Sequence, residues 1–496
     1  MIPMFRLLAV IFTCLAGLGA SQIQSLETLK QAALEMAAGR AKLTQEIVDS
    51  VFAFSELGYQ EVNTSAYLTA LLEKNGFRVT RGVAGLPTAW VAEWGSGKPV
   101  IGLMADIDGL PATSQTPGIP WRKPLIENGP GHGEGHNAGQ AVNITAALVV
   151  KQLMQRHGIP GTLRLYPGVA EELIGSRTYM VNAGLFKDLD AMLSSHIAAD
   201  FGTSWGPVGT GLVSVEYTFA GRSAHGASPW AGRSALDAVE LMNAGWNYRR
   251  EHLRLEHRSH YVITYGGDQP NVVPPLAKVW YYFRELEYPR IKELHNIGST
   301  IAKAAAMMTE TEVSERVLGA AWPGHYNKPL AEALTANIRR VGMPAWSEED
   351  QALARAAQRE LKLAESGLKT EVQPLNERPD NRNAGSDDIA ELSWNVPTVV
   401  LRYPGNIPGM IGHHWSSAIA MATPIAHKGS TAGAAAHALT VLDLLLKPEL
   451  LAEARKYFDE QTKTTKWESL IPAGVEPPIH LNRERMERVR PQLDKL

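Results

Sequence analysis

The sequence predicts an α/β fold, a mainly parallel central sheet interrupted by a smaller α+β unit. Three observations carry this. From about residue 25 to 205, segments of helical periodicity alternate with short apolar strands, the pattern of parallel strands joined by crossover helices. From 206 to about 322 the order changes to β-α-β-β-α, which is that of a compact α+β unit. Near 323 the first pattern resumes and runs to a long apolar helix ending near 446.

The elements follow in order. "SLETLKQAALEMAAGRAKLTQEIVDSVFAFSEL" spaces its apolar residues three and four apart, as a helix packed on one face does. "PVIGLMADID" is a buried strand, and "HNAGQAVNITAALVVKQLMQRHG" reads as a helix beginning just after a glycine-rich loop. "GTLRLYPGV" and "AMLSSHIA" are further short strands. In the inserted unit, "GLVSVEYTFAG" alternates apolar and polar residues, "SHYVITYGG" and "KVWYYFRELE" are strands, and "SALDAVELMNAGWNYRREHL" and "YPRIKELHNIGSTIAKAAAMM" are helices. "VPTVVLRYP" and "HKGSTAGAAAHALTVLDLLL" supply the last strand and helix. The charged, proline-bearing tail from 447 predicts a surface helix and an extended end.

With 496 residues there is room for two or three domains, and 45% hydrophobic with 20% charged residues is ordinary for a globular chain with a sizeable core. The net charge of −3 and the lack of a basic block give nucleic-acid binding no electrostatic support. At the N-terminus, Arg6 precedes an apolar run from Leu7 to about Ala20, with small residues near Gly19–Ser21. That is a secretory signal peptide, and the run is short for a membrane span. The expected division is therefore a signal peptide at 1–20, a main α/β domain in two parts at 21–205 and 323–446, the insert at 206–322 and a tail at 447–496. The mature protein is expected to be periplasmic or secreted and free of the membrane. Cys14 is the only cysteine and falls inside the signal segment. The mature chain then has no disulfide and no thiolate ligand, so any metal is held by His and carboxylate.

Five places collect residues of that kind. "GPGHGEGHNAGQAV" sets His132, Glu134 and His136 at every second position among glycines. "ADIDGLP" ends a strand with Asp106 and Asp108, "VAEELIGSR" puts Glu171 beside Glu172 after another, and "SSHIAAD" puts His196 at the end of a third. "GMIGHHWSSAIAMATPIAHKG" offers His413, His414 and His427 in a second glycine-rich loop. Each has a bland reading as a turn, a helix start or a core histidine. Together they place His and Glu at successive strand ends of one sheet, where sites of α/β proteins gather.

The ordered motifs "ADIDGLP", "GHGEGHN", "AEE", "SSH", "SAHGASP", "PNVVPPLAKVWYYFR", "AGSDDIAELSWNVPTV" and "GHHW…AHKG" resemble the aminoacylase/carboxypeptidase family of co-catalytic metallopeptidases, in its amidohydrolase branch. The resemblance runs from about 30 to 445. It implies two divalent ions per subunit, of Zn, Mn or Co, with Glu134, His136, Glu172, His196 and His413 as ligands. His413 is preferred to His414, and Asp106 and Asp108 serve as supports behind the site. Glu134 stands where the family usually keeps a cysteine. Glu171 becomes the general base. The insert becomes the ferredoxin-like lid and dimerisation domain of a homodimer, with His225 reaching a neighbouring subunit's site and Asn271 and Arg284 binding the substrate carboxylate.

The function implied is a metal-dependent amidohydrolase cleaving N-acyl or N-aroyl amino acids, a small-molecule amide or dipeptide being the partner. The alternatives are a dipeptidase or carboxypeptidase, and a silent metal- or peptide-binding relative.

Overall fold

The computed structural model describes residues 25–377 and 385–495. The signal segment expected at 1–20, with Cys14, lies outside the described residues. The strands, in chain order, are β1 Arg78–Arg81, β2 Trp90–Ser96, β3 Val100–Asp106, β4 Gly161–Gly168, β5 Ala191–Ala198, β6 Ser204–Val208, β7 Gly211–Ala220, β8 Arg258–Tyr265, β9 Leu276–Glu285, β10 Glu312–Ala321, β11 Gly324–Tyr326, β12 Asn376–Glu377 and β13 Thr398–Pro404. The central sheet has the order β1-β2-β4-β3-β5-β13. Its β4, β3, β5 and β13 run parallel, and β2 and β1 close one edge antiparallel.

Every residue of β3 is buried, as a strand covered by helices on both faces must be. The helix Gly139–His157 and the helix Pro424–Leu446 pack together over the sheet. The second is long and apolar enough to cross a membrane, but 89% of its most apolar window is buried inside the protein, which is how a core helix reads. The first predicted helix is in fact two, Leu26–Ala38 and Ala41–Phe54, broken where the amide of Gly39 caps the carbonyls of Glu35 and Ala37.

The insert forms its own four-stranded sheet, β10-β7-β9-β8, with the helices Ala235–Arg249 and Tyr288–Thr309 packed on it. The order is that of a β-α-β-β-α-β split fold. Its fourth strand, β10, goes beyond the predicted elements. The first half of "EVSERVLGAA" is charged and largely exposed, and only its second half is buried, so no strand-like run stands out. Along β9, burial alternates strictly. Ala277, Val279, Tyr281 and Phe283 face the helices, and Lys278, Trp280, Tyr282 and Arg284 face the other way.

The tail departs from the expected extended end. After the helix Pro448–Gln461 the chain returns across both units and finishes in a helix, Arg483–Leu493. Trp467 donates to Glu391, and Trp322 donates to the carbonyl of Glu468 at 2.8 Å. Tyr288 of the insert donates to the Glu468 carboxylate at 3.1 Å, and Arg316 to the carbonyl of Glu476 at 3.1 Å. On the other side, Gln60 donates to the carbonyls of Ile479 and Leu481, Arg490 pairs with Glu56, and Met486, Val489 and Leu493 cluster with Leu57 and Ile126. The closing helix has few apolar residues, so no periodic signal marks it in the sequence.

Candidate metal centre

The parallel strands end at one edge, and the site is built there. β3 ends at Asp106, and the chain turns so that Asp108 accepts from Nδ1 of His136 at 3.2 Å and from the amide of Glu172 at 3.1 Å. The glycine-rich loop is pinned at both ends. Leu110 and Gly131 exchange backbone hydrogen bonds, and Asn137 donates to the carbonyls of Val48 and Met421. Gly135, at φ +82°, lies so close to Ile197 and Met421 that a Cβ would meet them at 2.6 and 2.7 Å. The glycine is therefore required by close approach as well as by conformation.

The three residues of that loop separate. His132 points inward, is buried and donates through Nε2 to the carbonyl of Val51 at 3.1 Å. Burial lowers its pKa to about 3, so it is a neutral structural anchor. Glu134 and His136 face the cavity.

After β4, Ala170 takes a left-handed conformation, φ 49°, and begins the short 3₁₀ turn Glu171–Leu173. Buried Glu61 fixes it by accepting from the Ala170 amide at 2.7 Å and from Thr88 at 2.8 Å. This is the turn that points two adjacent glutamates at one site. Nε2 of His136 lies 3.9 Å from Glu171, and its Nδ1 lies 3.8 Å from Glu172. Nε2 of His413 lies 2.6 Å from one oxygen of Glu134 and 3.4 Å from Glu172. The other Glu134 oxygen is 3.9 Å from Nε2 of His196. All five expected ligands thus converge, and Glu171 lies against them. His414 does not join them, since its Nδ1 accepts from the amide of Ser416 to cap a turn. His427 pairs with Asp49 at 2.6 Å.

The donor set fits divalent metal. Asp108 takes the Nδ1 proton of His136 and leaves Nε2 buried without a hydrogen-bond partner, the arrangement of an oriented metal-binding histidine. Ligand atoms of Glu134, His136 and Glu172 lie within 4.8 Å of one another. The carboxylates are also crowded. Burial pushes Glu172 up to about 8, with Glu134 and Asp108 adding to the rise and His136 and His413 opposing it. Burial, then Asp387 and Asp106, raises Glu171 well above the carboxylate range. Glu134 goes the other way despite its burial, because His413, His196 and His136 hold it low. Burial and the charge of Arg402 bring His196 down to about 4, leaving a neutral imidazole suited to ligation.

Behind Glu171 is a group that sequence reading did not find. Arg177 is fully buried and pairs with Asp106 and Asp388, with Asp387 at 3.5 Å. Asp388 also accepts the amides of Ser176 and Arg177. "GSR" and "GSDD" each lie inside a motif that stands out in the sequence, but 71 and 211 residues separate Arg177 from Asp106 and Asp388, so nothing local links them.

A cavity of about 540 Å³ opens over the cluster, lined by Glu134, Glu171, Glu172, His196, Arg402 and His413 from the main domain and by His260, Tyr282 and Arg284 from the insert. That volume suits a small-molecule ligand. Arg284 donates to Ser386 at 2.8 Å, and its Nε is buried without a partner. Asn271, grouped with Arg284 by the sequence, is placed elsewhere. It is exposed and sits beside His225, its carbonyl accepting from the amide of Gly226 at 2.7 Å. His225 is exposed as well, and neither residue lines this chain's cavity.

Histidines and carboxylates gathered at the carboxyl edge of a parallel sheet, under an α+β lid, define a metal-dependent hydrolase. The comparisons agree. The chain belongs to peptidase family M20/M25/M40, whose sequence profile matches residues 102–422. It is 34% identical over 459 residues to one subunit, the second by letter, of p-aminobenzoyl-glutamate hydrolase of Escherichia coli (strain K12), covering 87% of this chain and 95% of that one. It is 27% identical to Xaa-Arg dipeptidase of Mus musculus, over 89% and 94% of the two chains. Among solved structures, a putative aminohydrolase from methicillin-resistant Staphylococcus aureus has a TM-score of 0.59 at 19% identity, over 84% of this chain and all of that one. A dinuclear metal-binding peptidase of the M20 family from Bacillus subtilis has 0.52 at 18%, over 82% and 99%. At these identities the likeness is one of fold. The protein is an enzyme of this family, a metal-binding amidohydrolase.

Proposed function

We propose that the enzyme cleaves the amide of an N-acyl or N-aroyl amino acid, p-aminobenzoyl-glutamate being the model substrate. The observation that carries this is the cavity itself, with the carboxylate and histidine cluster on its floor and a partly unsatisfied arginine, Arg284, in its roof. The substrate named in the E. coli relative supports the same reading. Glu134, His136, Glu172, His196 and His413 hold two divalent ions, of Zn, Mn or Co. When bound, the ions supply Lewis acidity that acidifies a water and polarises the amide carbonyl. Glu171 takes the water's proton and returns it to the leaving nitrogen. Asp108 keeps His136 in one tautomer. Arg177 holds Asp106 and Asp388 in place behind the base. Release of p-aminobenzoate from p-aminobenzoyl-glutamate by the metal-loaded enzyme tests the proposal, and no release from any N-acyl amino acid overturns it.

Arg284 anchors the α-carboxylate, since a guanidinium suits a carboxylate in a bidentate fork. Arg284→Ala should raise KM about 10- to 100-fold for substrates with that carboxylate, from the usual worth of a charged hydrogen bond. Steady-state kinetics on the acid and on its carboxamide check this, and an equal loss on both would assign Arg284 to the fold.

The enzyme acts as a homodimer, after a signal peptide directs it to the periplasm or outside. Among the described residues β8 is the outer strand of the insert's sheet, with Val262 and Ile263 58% and 46% exposed, a surface suited to a second copy. Nδ1 of His225 accepts from the amide of Ala227 at 2.9 Å, leaving Nε2–H to donate to an oxyanion in the neighbouring subunit, with Asn271 travelling beside it. His225→Ala should lower kcat about 10²–10³-fold. Mixing it with inactive Glu171→Gln subunits should restore activity in heterodimers, and no recovery after verified subunit exchange would leave His225 outside the mechanism.

A further inference from the structure

We propose that Arg402 is a specificity residue that binds a second carboxylate, on the side chain of the leaving amino acid, so that the preferred substrates are N-acyl derivatives of acidic amino acids. This rests on the amidohydrolase reading above and names the substrate class within it.

Arg402 lies two residues from the end of β13. It is the register partner of His196 on parallel β5, so the two side chains leave the same face of the sheet on adjacent strands, about 4.8 Å apart. Arg402 lines the cavity, and its charge acts on His196. Among the described residues no carboxylate lies within 4.0 Å of its guanidinium. Two other arginines withdrawn from solvent are paired with carboxylates. Arg164 meets Glu93 and Asp188, and Arg177 meets three aspartates. Asp387, which also lines the cavity, is already engaged by Arg177. A guanidinium held in a cavity without an anion is costly to keep there, and a ligand carboxylate satisfies it.

The second cation of the cavity, Arg284, comes from the opposite body. It hangs from β9 of the insert, and its Nη1 is spent on Ser386. One arginine stands on the floor beside the expected metal ligands and the other in the roof. Cations on two bodies suit two anions on one ligand better than one shared anion. An α-carboxylate on Arg284 leaves the side-chain carboxylate for Arg402. The same pair of cations repels a basic leaving residue, which separates this site from the Xaa-Arg specificity named in the mouse relative.

The test compares N-acyl-glutamate with N-acyl-glutamine, which differ in one charge at constant shape. Arg402→Met should lower the glutamate-to-glutamine ratio of kcat/KM about 10- to 100-fold, and Arg402→Lys should recover part of it. Metal content and melting temperature are measured on each variant, so that a folding or metal defect is seen as such. A ratio unchanged within a factor of about three in a folded, metal-loaded Arg402→Met protein overturns the proposal. A separate arm uses calorimetric binding of free glutamate and free glutamine to the metal-loaded wild type and the Met variant. A glutamate preference that disappears in the variant supports the role of Arg402 even if no N-acyl amino acid is hydrolysed, which would remove only the catalytic reading. No glutamate preference in the wild type removes the role of Arg402 and leaves that reading standing.

Discussion

Glu171→Gln is expected to lower kcat by about 10²–10⁴, the usual worth of a general base, without loss of metal. The reason lies in where Glu171 sits. It is buried and lies against the ligand cluster rather than within its closest contacts, 3.9 Å from His136. Its carboxylate is crowded by Asp387, Asp106 and Glu172. Glutamine keeps the shape and, like the neutral acid that this crowding favours, carries no charge. The variant should therefore melt no lower than the wild type while losing turnover. Few substitutions of a buried charged residue behave so, which makes the pair of measurements decisive. Near-normal turnover would exclude Glu171 as base. A fall in metal content would make it a ligand instead.

Glu134→Ala should release at least one ion per subunit, and full removal of metal should destabilise the fold by about 4 kcal/mol relative to protein at a metal concentration about 1,000 times the dissociation constant. Glu134 presents one oxygen to His413 and the other to His196, which is how a bridging carboxylate is placed. The metal-free protein should also acquire a pH dependence. Its folded form keeps a proton on Glu172, whose pKa is raised to about 8, after the unfolded chain has released it. Stability then falls as pH rises through that window. His136, held well above its ordinary value by Asp108 and neighbouring acids despite its burial, contributes stability that is likewise lost on raising pH. Glu134 is held low, and its contribution is lost only at acid pH. Metal-free protein should thus melt lower at about pH 8 than at about pH 6, and metal should flatten the difference. Two ions still bound to Glu134→Ala with unchanged affinity would leave this glutamate without a role. Glu134→Cys should keep metal and become sensitive to peroxide, because a thiolate is the oxidisable form of that ligand.

What the sequence shows of this protein follows from the range of the interactions. The parallel sheet was legible because each buried strand writes its own apolar run, and β3 is one unbroken example. The lid was legible except for β10, whose charged half obeys solvent rather than the sheet. The candidate ligands were legible because each stands at a strand end or in a glycine-rich loop, next to its own signal. His132 shares that loop and looked the same, but the carbonyl of Val51 draws it inward, and only packing decides this. Arg177 and Arg402 were missed for a related reason. One is defined by aspartates far away in the chain, the other by a neighbouring strand. That Asn271 stands beside His225 and away from this chain's own cavity was not legible either, because closeness along a motif is not closeness to the same cavity.

The lid is joined to the main domain by two neighbouring chain crossings. β6 and β11 pair at Val208 and Gly324, and just beyond them β7 and β10 pair at Leu212 and Ala321. Two adjacent strands form a ribbon, and a ribbon left alone allows mainly one rotation, about its own length. The C-terminal tail grips the lid at Tyr288 and Arg316 and the main domain at Gln60 and Glu56, away from that axis. It therefore ties the two units together a second time. The lid contacts at Glu468 are exposed, the Lys292 ammonium standing 3.8 Å away, and exposed ion pairs are weak and screened by salt. The tail thus adds to the direct ties between lid and main domain, Arg284 to Ser386 and Thr178 to the carbonyl of Ala320, and shortening the chain from its end is expected to change how fast small molecules enter and leave, which stopped-flow binding measures.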